Sequence, residues 1–391
     1  EIGSGLVGSE MCIRDRPNRE KLMNKKIAVF MLIIVLAGLT VWIYLSVPEV
    51  QKQIAIYTEE DFTEKNIYSD LESLSERLEE EIMKGSDSFT VYLQDLDVNA
   101  INQINESLDG IFGSGATYQQ VGLVGNTYKK VTITIKQSAN YYAMQAYLQN
   151  SPIPDSEPKA QELYEVIKTV LDTQISEGMS DYEKELALHD YLVTHCKYSE
   201  DIFQPAGSDI YRAYGALVNQ DAVCNGYAEA LQLLFQCAGI RSEFVIGTAD
   251  GVDHAWNLVE IDGKWYHLDA TWDDPLPDQG EETLHPYFNV PDEIMEQNHT
   301  WNREDYPAAD SMAENFYVKE EAYFTNFDDY SVSAYDTMVN GGNPRYEAVI
   351  ENYVEDEEDM QFIFEDNFKY NSVNWQTFKA GNYCVLVIKA E

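Results

Sequence analysis

The sequence predicts an α+β protein in which a helix carrying a cysteine packs on an antiparallel sheet. A small α/β unit precedes that core, a β-rich stretch follows it, and one apolar helix lies near the amino end. Three observations predict this. After Cys224 the residues Ala228, Leu231, Leu234, Phe235 and Ala238 recur at helical spacing, and Gly239 stops the run. The segments HAWNLVEI and KWYHLDATW flank Asp262-Gly263, a pair that favours a two-residue type I′ hairpin turn. From Ile27 to Leu45 all 19 residues are apolar or weakly polar, enough at 1.5 Å per residue for the ~30 Å of a bilayer core.

Residues 1–22 show no hydrophobic period and contain VGSEMCIRDR, which looks like a translated sequencing adaptor, so they are expected to be a non-native leader with a natural start at Met23. Residues 23–50 read as a signal anchor, a transmembrane helix: Lys25 and Lys26 precede the apolar run, Glu49 follows it, LSVPEV lacks the small residues of a cleavage site, and no cysteine follows to take a lipid. The expected location is the cell membrane, single-pass, with the carboxyl-terminal domain extracellular. Residues 51–87 are expected to form an amphipathic helical stalk, because Ile67, Leu71, Leu74, Leu78 and Ile82 fall on one stripe. FTVYL, a helical DVNAINQINESLDGIF and an alternating VTITIK make 88–150 a small α/β domain, and Pro152, Pro154 and Pro158 mark its end. The main domain is placed at 155–310, opening with helices near 157–176 and 182–197. The remainder, 311–391, reads as a β-rich appendage from EAVIENYVED, DMQFIFED and NYCVLVIKAE.

The chemistry is expected where the cysteine helix meets the hairpin. A thiol in the first turn of a helix faces unpaired backbone N–H groups and the positive end of the macrodipole, which favour the thiolate nucleophile. A two-residue turn pairs Ile261 with Lys264, and continuing the register sets His254 opposite Thr271 and Trp256 opposite Asp269. His254 and Asp269 then share a sheet face as diagonal neighbours, ~7 to 8 Å apart at the backbone. A slip of one residue would part them. Cys224, His254 and Asp269 therefore read as nucleophile, base and orienting acid. Taken singly, each of the three has an ordinary structural reading; their joint order and parity favour catalysis.

These runs, YGALVNQDAVCNGYAEALQLL and HAWNLVEIDGKWYHLDATWDD, resemble the transglutaminase-like superfamily, in its bacterial extracellular branch of cysteine proteases and hydrolases, and the resemblance extends upstream through LALHDYLVTHCKYS. It implies a papain-like core and a Cys224, His254, Asp269 triad that cleaves amide or peptide bonds through a thioester. It also implies a peptide or protein substrate, which the location would make cell-wall associated. Cross-linking relatives carry a tryptophan upstream of the cysteine. Here none lies between Trp42 and Trp256, so water is the expected acyl acceptor. Tyr211, Tyr214, Trp256 and Trp272 are the candidate oxyanion or substrate contacts. A cross-linking transglutaminase and a non-catalytic surface binding protein remain the alternatives.

No cofactor or metal is expected. His189 and His195 are six apart, not on one helix face, and read as packing or surface residues. His285 and His299 have no companion pattern. DDPLPDQGEE lacks the spaced ligands of a calcium loop. Cys196 and Cys237 read as buried thiols, with a disulfide between them left open. With 26 Lys and Arg against 68 Asp and Glu, a net charge of −42, nucleic acid is excluded as a partner.

Overall fold

The computed structural model describes residues 36–43, 47, 50, 62–99, 101, 104, 115–124, 127–202, 204–205, 207–274, 283–354 and 372–390. Among them no helix is long and apolar enough to cross a membrane. Of the expected span at 27–45, only 36–43 are described, and these are helical. The leader at 1–22, most of the 97–112 helix, the DMQFIFED strand and most of DDPLPDQGEE lie outside the described residues.

The chain divides into two compact units, Glu1–Glu81 with Ser88–Ile101 and Thr117–Thr134, and Ile82–Asp87 with Asn102–Ala116 and Ile135–Glu391. The first holds β1 (Ile67–Tyr68), β2 (Ser88–Gln94), β3 (Gly115–Val124) and β4 (Tyr128–Lys136) in the order β1-β2-β4-β3. The stalk helix is shorter than its stripe suggests: α1 spans Leu71–Lys84, while Ile67 pairs with Tyr92 in the sheet. Leu74, Leu78 and Ile82 are buried as the stripe requires, but Leu71 is exposed. Phe62 sits edge-on to Tyr92 and Tyr128 and closes a small aromatic cluster. Strand β3 is an element that the weak apolar pattern of GATYQQVGLV does not predict.

The second unit opens with three helices. The first, α2 (Ala139–Gln149), was read as the tail of the small domain; it is capped by Ser138 and packs against α3 (Pro158–Gln174). Next, α4 (Asp181–His195) begins with a capping box in which Ser180 and Glu183 satisfy each other's backbone N–H. Short β5 (Lys197–Tyr198) and β6 (Asp221–Ala222) pair in parallel and lead into α5 (Cys224–Ala238), which ends at Gly239 with φ 78°. The sheet runs β10-β9-β8-β7-β11, from β7 (Arg241–Ala249), β8 (Val252–Ile261), β9 (Lys264–Leu268), β10 (Phe288–Val290) and β11 (His299–Trp301). Two short helices, α6 (Ala270–Asp273) and α7 (Asp292–Met295), lie in its connections.

Alternation along β8 divides two cores. Val259 and Ile261 join Leu188, Leu192, Leu231 and Leu234 in the helical core. Trp256 and Leu258 face the other way, into a core shared with the carboxyl-terminal segment. That segment comprises α8 (Phe316–Lys319), β12 (Tyr323–Phe324), α9 (Phe327–Tyr335), β13 (Arg345–Glu351), β14 (Val373–Ala380) and β15 (Tyr383–Ala390), with sheet order β12-β13-β15-β14. It is more than an appendage: Tyr317, Tyr330, Ile350, Val385 and Val387 share one apolar core with Val245, Trp256 and Leu258.

Candidate active site

Cys224 is the first residue of α5, following Val223 in extended conformation. Gly226 is forced by the approach of the preceding loop, since a Cβ there would meet the Ile210 carbonyl oxygen at 2.7 Å and Ala222 at 2.8 Å. The helix is fixed to β8 by Asn257, whose side-chain amide donates to the Ala228 carbonyl at 3.0 Å. Buried Glu229 ties it to the 209–213 loop by accepting from the Ala213 N–H at 2.8 Å. The thiol is partly exposed, and Cys224 interacts electrostatically with the His254 ring.

His254 lies near the start of β8 and is buried. Its Nε2 is 2.7 Å from Asp269 Oδ2, which leaves Nδ1 for the thiol. The hairpin turn is as expected, with Asp262 at φ 51° and Gly263 at φ 74°, and Ile261 faces Lys264. The register holds through Asn257 and Leu268 and then stops. The expected pairs His254 with Thr271 and Trp256 with Asp269 do not form. Asp269 instead caps α6, its Oδ1 accepting from the Thr271 N–H at 3.0 Å and the Trp272 N–H at 3.3 Å. Capping turns the other oxygen to the imidazole. Side-chain parity survives; the strand geometry does not.

Asp269 Oδ2 has a second partner, absent from the sequence reading: His299 Nε2 on β11 at 3.1 Å, with its Nδ1 2.7 Å from the Asn298 side-chain oxygen. Burial disfavours the His254 imidazolium, yet the Asp269 charge and hydrogen bond and the Cys224 contact outweigh it and push the ring up to about 10. Burial works against the Asp269 carboxylate too, but the two imidazoles hold it well below the usual carboxylate range.

The four candidate contact residues separate. Trp256 is a support: it is 1% exposed, nearly parallel to the His254 ring at 6.0 Å, and donates from Nε1 to His267 Nδ1 at 2.9 Å. His267 therefore keeps its proton on Nε2, which faces Asp292 at 2.8 Å. Trp272 is partly exposed, 6.1 Å from His254 and 4.7 Å from His299, and can meet a substrate. The Tyr211 hydroxyl donates to the Ile202 and Gln204 carbonyls, and that of Tyr214 to Glu162 on α3, so both hydroxyls are taken. Another tyrosine, Tyr198 on β5, pairs with Ala222, two residues before Cys224. Its hydroxyl is pushed up to about 12, by burial and then by the charges of Cys224, Asp269 and Tyr211, and so remains a donor. A parallel two-residue ladder with β6, just before the cysteine, brings it there.

Cys196 and Cys237 are buried free thiols, not joined to each other, and burial pushes each up to about 12. His195 is exposed, stacked on Tyr191. His189 is fully buried and, with Asp190, meets His285. Neither His285 nor His299 lacks companions; both find them across long loops, which local spacing cannot reveal.

Residues 168–270 match the model of the transglutaminase-like superfamily. Over 116 residues the chain is 28% identical to the kyphoscoliosis peptidase of Mus musculus and covers 27% of this chain and 18% of that protein. The Homo sapiens kyphoscoliosis peptidase is 27% identical over 116 residues with the same coverage. The chain thus spans under a fifth of the length of these curated relatives. Among solved structures, a TGase crystal structure has a TM-score of 0.26 at 18% identity over 52% of this chain and 58% of that one. The periplasmic domain of TgpA from Pseudomonas aeruginosa has a TM-score of 0.22 at 13% identity over 40% and 62%.

Proposed function

We propose that the transglutaminase-like domain of this chain is a cysteine enzyme that cleaves amide bonds in a peptide or protein through a thioester on Cys224. The observation that carries the reading is the 2.7 Å contact between His254 Nε2 and Asp269, which turns Nδ1 toward a thiol at a helix N-terminus. The Cys224 proton passes to His254 Nδ1 before the sulfur attacks the amide carbon, since the ring, raised to about 10, keeps it. The oxyanion that forms is stabilised by the Cys224 backbone N–H and the Tyr198 hydroxyl. As the carbon–nitrogen bond breaks, the imidazolium returns its proton to the leaving amine. Water then loses a proton to His254 and attacks the thioester, releasing the acid and the thiol. Asp269 stays ionised throughout and holds the ring.

Water is the acceptor in this reading because no indole precedes the nucleophile in the outer part of the chain, and a tyrosine gives less apolar cover to a thioester. The test incubates the protein with peptide amides and cell-wall fragments plus a labelled primary amine, with mass spectrometry of products. Free acid from the wild type and none from a folded Cys224→Ala variant supports the reading. Dominant amide product makes the protein a cross-linker, and turnover by Cys224→Ala removes the thioester altogether. A binding role without turnover would show as product from neither, with Cys224 no faster than Cys237 toward a thiol-directed electrophile.

The apolar run at 27–45 behind Lys25 and Lys26 supports a single-pass location in the cell membrane with the carboxyl-terminal domain extracellular. Fractionation with protease treatment of intact cells tests it: the chain should sediment with membranes and be clipped from outside. Recovery in the soluble fraction would contradict the anchor.

A further inference from the structure

A second histidine and carboxylate cluster lies away from the thiol. His189 and Asp190 are adjacent on α4, and His285 lies in the chain between α6 and β10. Asp190 Oδ1 is the meeting point, 2.9 Å from His189 Nδ1 and 3.0 Å from His285 Nε2. Each ring is flanked by another acid on its far side: His189 Nε2 is 3.2 Å from Asp273 Oδ2, and His285 Nδ1 is 3.8 Å from Glu347 Oε1. Neither outer contact is a well-aligned hydrogen bond, and His189 Nε2, Asp273 Oδ2 and His285 Nδ1 are buried without another partner. His189 and Asp273 are wholly buried and His285 is 5% exposed, whereas the Asp190 side chain is 38% exposed and opens the cluster to solvent.

A neutral imidazole has one N–H and can serve only one of two flanking carboxylates. If the protons go to the outer acids, the inner lone pairs of both rings converge on the Asp190 oxygen, an arrangement that repels itself unless each ring takes a second proton or a cation lies among them. The three acids Asp190, Asp273 and Glu347 are opposed by one fixed cation, Arg345, paired with Glu347. The donor atoms lie within 4.8 Å of one another. Two imidazole nitrogens and one carboxylate oxygen, with each ring backed by an acid that can hold its remaining N–H, match how proteins hold zinc-class ions. The rings are also set in place, His285 stacked on Phe316 at 3.7 Å and His189 edge-on to Phe288 at 5.1 Å.

We propose that His189 Nδ1, Asp190 Oδ1 and His285 Nε2 bind one divalent transition ion of the zinc class, with Asp273 and Glu347 orienting the two rings. Three protein ligands leave a fourth position for water on the exposed Asp190 side. The site joins α4 to the loop before β10, and through Asp273 to α6, the helix that Asp269 caps. It does not rest on the catalytic reading, since none of its ligands touches the thiol or the triad histidine.

The test uses the full chain, stripped with chelator and dialysed against micromolar ZnCl2, with bound metal counted by mass spectrometry and affinity measured by calorimetry. The wild type should hold one equivalent more than Asp190→Asn or His285→Gln, and zinc should raise its melting temperature but not theirs. Asp273→Asn should bind the same equivalent roughly 10–100-fold more weakly. Cobalt in place of zinc should give visible d–d bands without a thiolate charge-transfer band, which separates this site from the cysteines. Asp190 is half-exposed, so its variant remains informative if the His285 variant does not fold. No extra equivalent in the wild type, or equal stoichiometry in a folded Asp190→Asn, overturns the proposal.

Discussion

Replacing Asp269 by Asn tests the proposed mechanism at its tightest contact. The side chain has two duties: Oδ1 accepts from the Thr271 and Trp272 N–H groups, and Oδ2 receives His254 Nε2 at 2.7 Å and His299 Nε2 at 3.1 Å. Asn can keep the cap only by leaving its oxygen on the backbone N–H groups. Its NH2 then faces both imidazoles and donates to His254 Nε2, which drives the ring proton onto Nδ1. A base protonated on Nδ1 cannot accept the thiol proton. Burial then disfavours the imidazolium without the carboxylate charge that offsets it. The expected fall in kcat/KM is therefore on the order of 10³ to 10⁴, the size of the corresponding loss in the serine-protease triad. Stability should drop less, by ~1 to 3 kcal/mol for each of the two charged hydrogen bonds weakened. The assay pairs turnover of a peptide amide with the rate of Cys224 alkylation by a neutral electrophile across pH, and with a denaturation midpoint. A fall in kcat/KM of less than about tenfold, ~1.4 kcal/mol, in a folded variant would refute the assignment of Asp269.

Further predictions concern His299, the pH dependence of stability and Glu185. His299→Ala removes one hydrogen bond to the Asp269 carboxylate and should lower kcat by roughly 10- to 100-fold with little change in KM; His299→Gln, which can still donate, should recover most of it, and equal losses in both variants would mean the imidazole acts only by filling space. In thermal unfolding against pH, His254, raised in the folded state, contributes stability that is full below about 6.5 and lost as pH climbs toward 10. Asp269, lowered in the folded state, contributes above about 4 and loses it as pH falls. Glu185 runs against the usual carboxylate pattern: burial pushes it up to about 8 despite the Asn289 hydrogen bond, so its ionisation costs stability between about 4.5 and 8. Glu185→Gln should therefore melt higher than the wild type at pH 8.5 and gain nothing at pH 4, and parallel melting curves at the two pH values would exclude the effect.

The sequence made the helix and the hairpin legible because both are specified within a few residues. Gly239 and the Ala228, Leu231, Leu234 stripe bound α5, and Asp262-Gly263 sets a turn whose φ values are both positive. Asp269 was placed on the correct face for an incomplete reason, since ATWD after an Asp is also a helix start, and there the cap took precedence over the strand pattern. The same capping signal, Asn326 before Asp329, marks α9, but its Ser, Val and Tyr residues have weak helix propensity and the segment was read with the strands around it. What local pattern could not carry was the partner set of His299 and His285, separated from Asp269 and Asp190 by 30 and 95 positions. Only the sheet order, with β11 beside β7 and β10 beside β9, brings them in.

That sheet order gives α6 a role its length conceals. Asp269 and Asp273 stand one helical turn apart, one before the helix and one at its end. The first takes two imidazoles from the sheet, His254 and His299, while the second faces His189 from α4 and accepts the Tyr287 N–H at 2.8 Å. Because the Asp269 N–H is given to the Tyr287 carbonyl at 3.2 Å, the same residue fastens both ends of the turn. The turn cannot rotate without parting one of the acids from its histidine. The orientation of the Asp269 carboxylate is thus fixed from both ends of α6, through Tyr287 and His189 as well as through the imidazoles of the sheet.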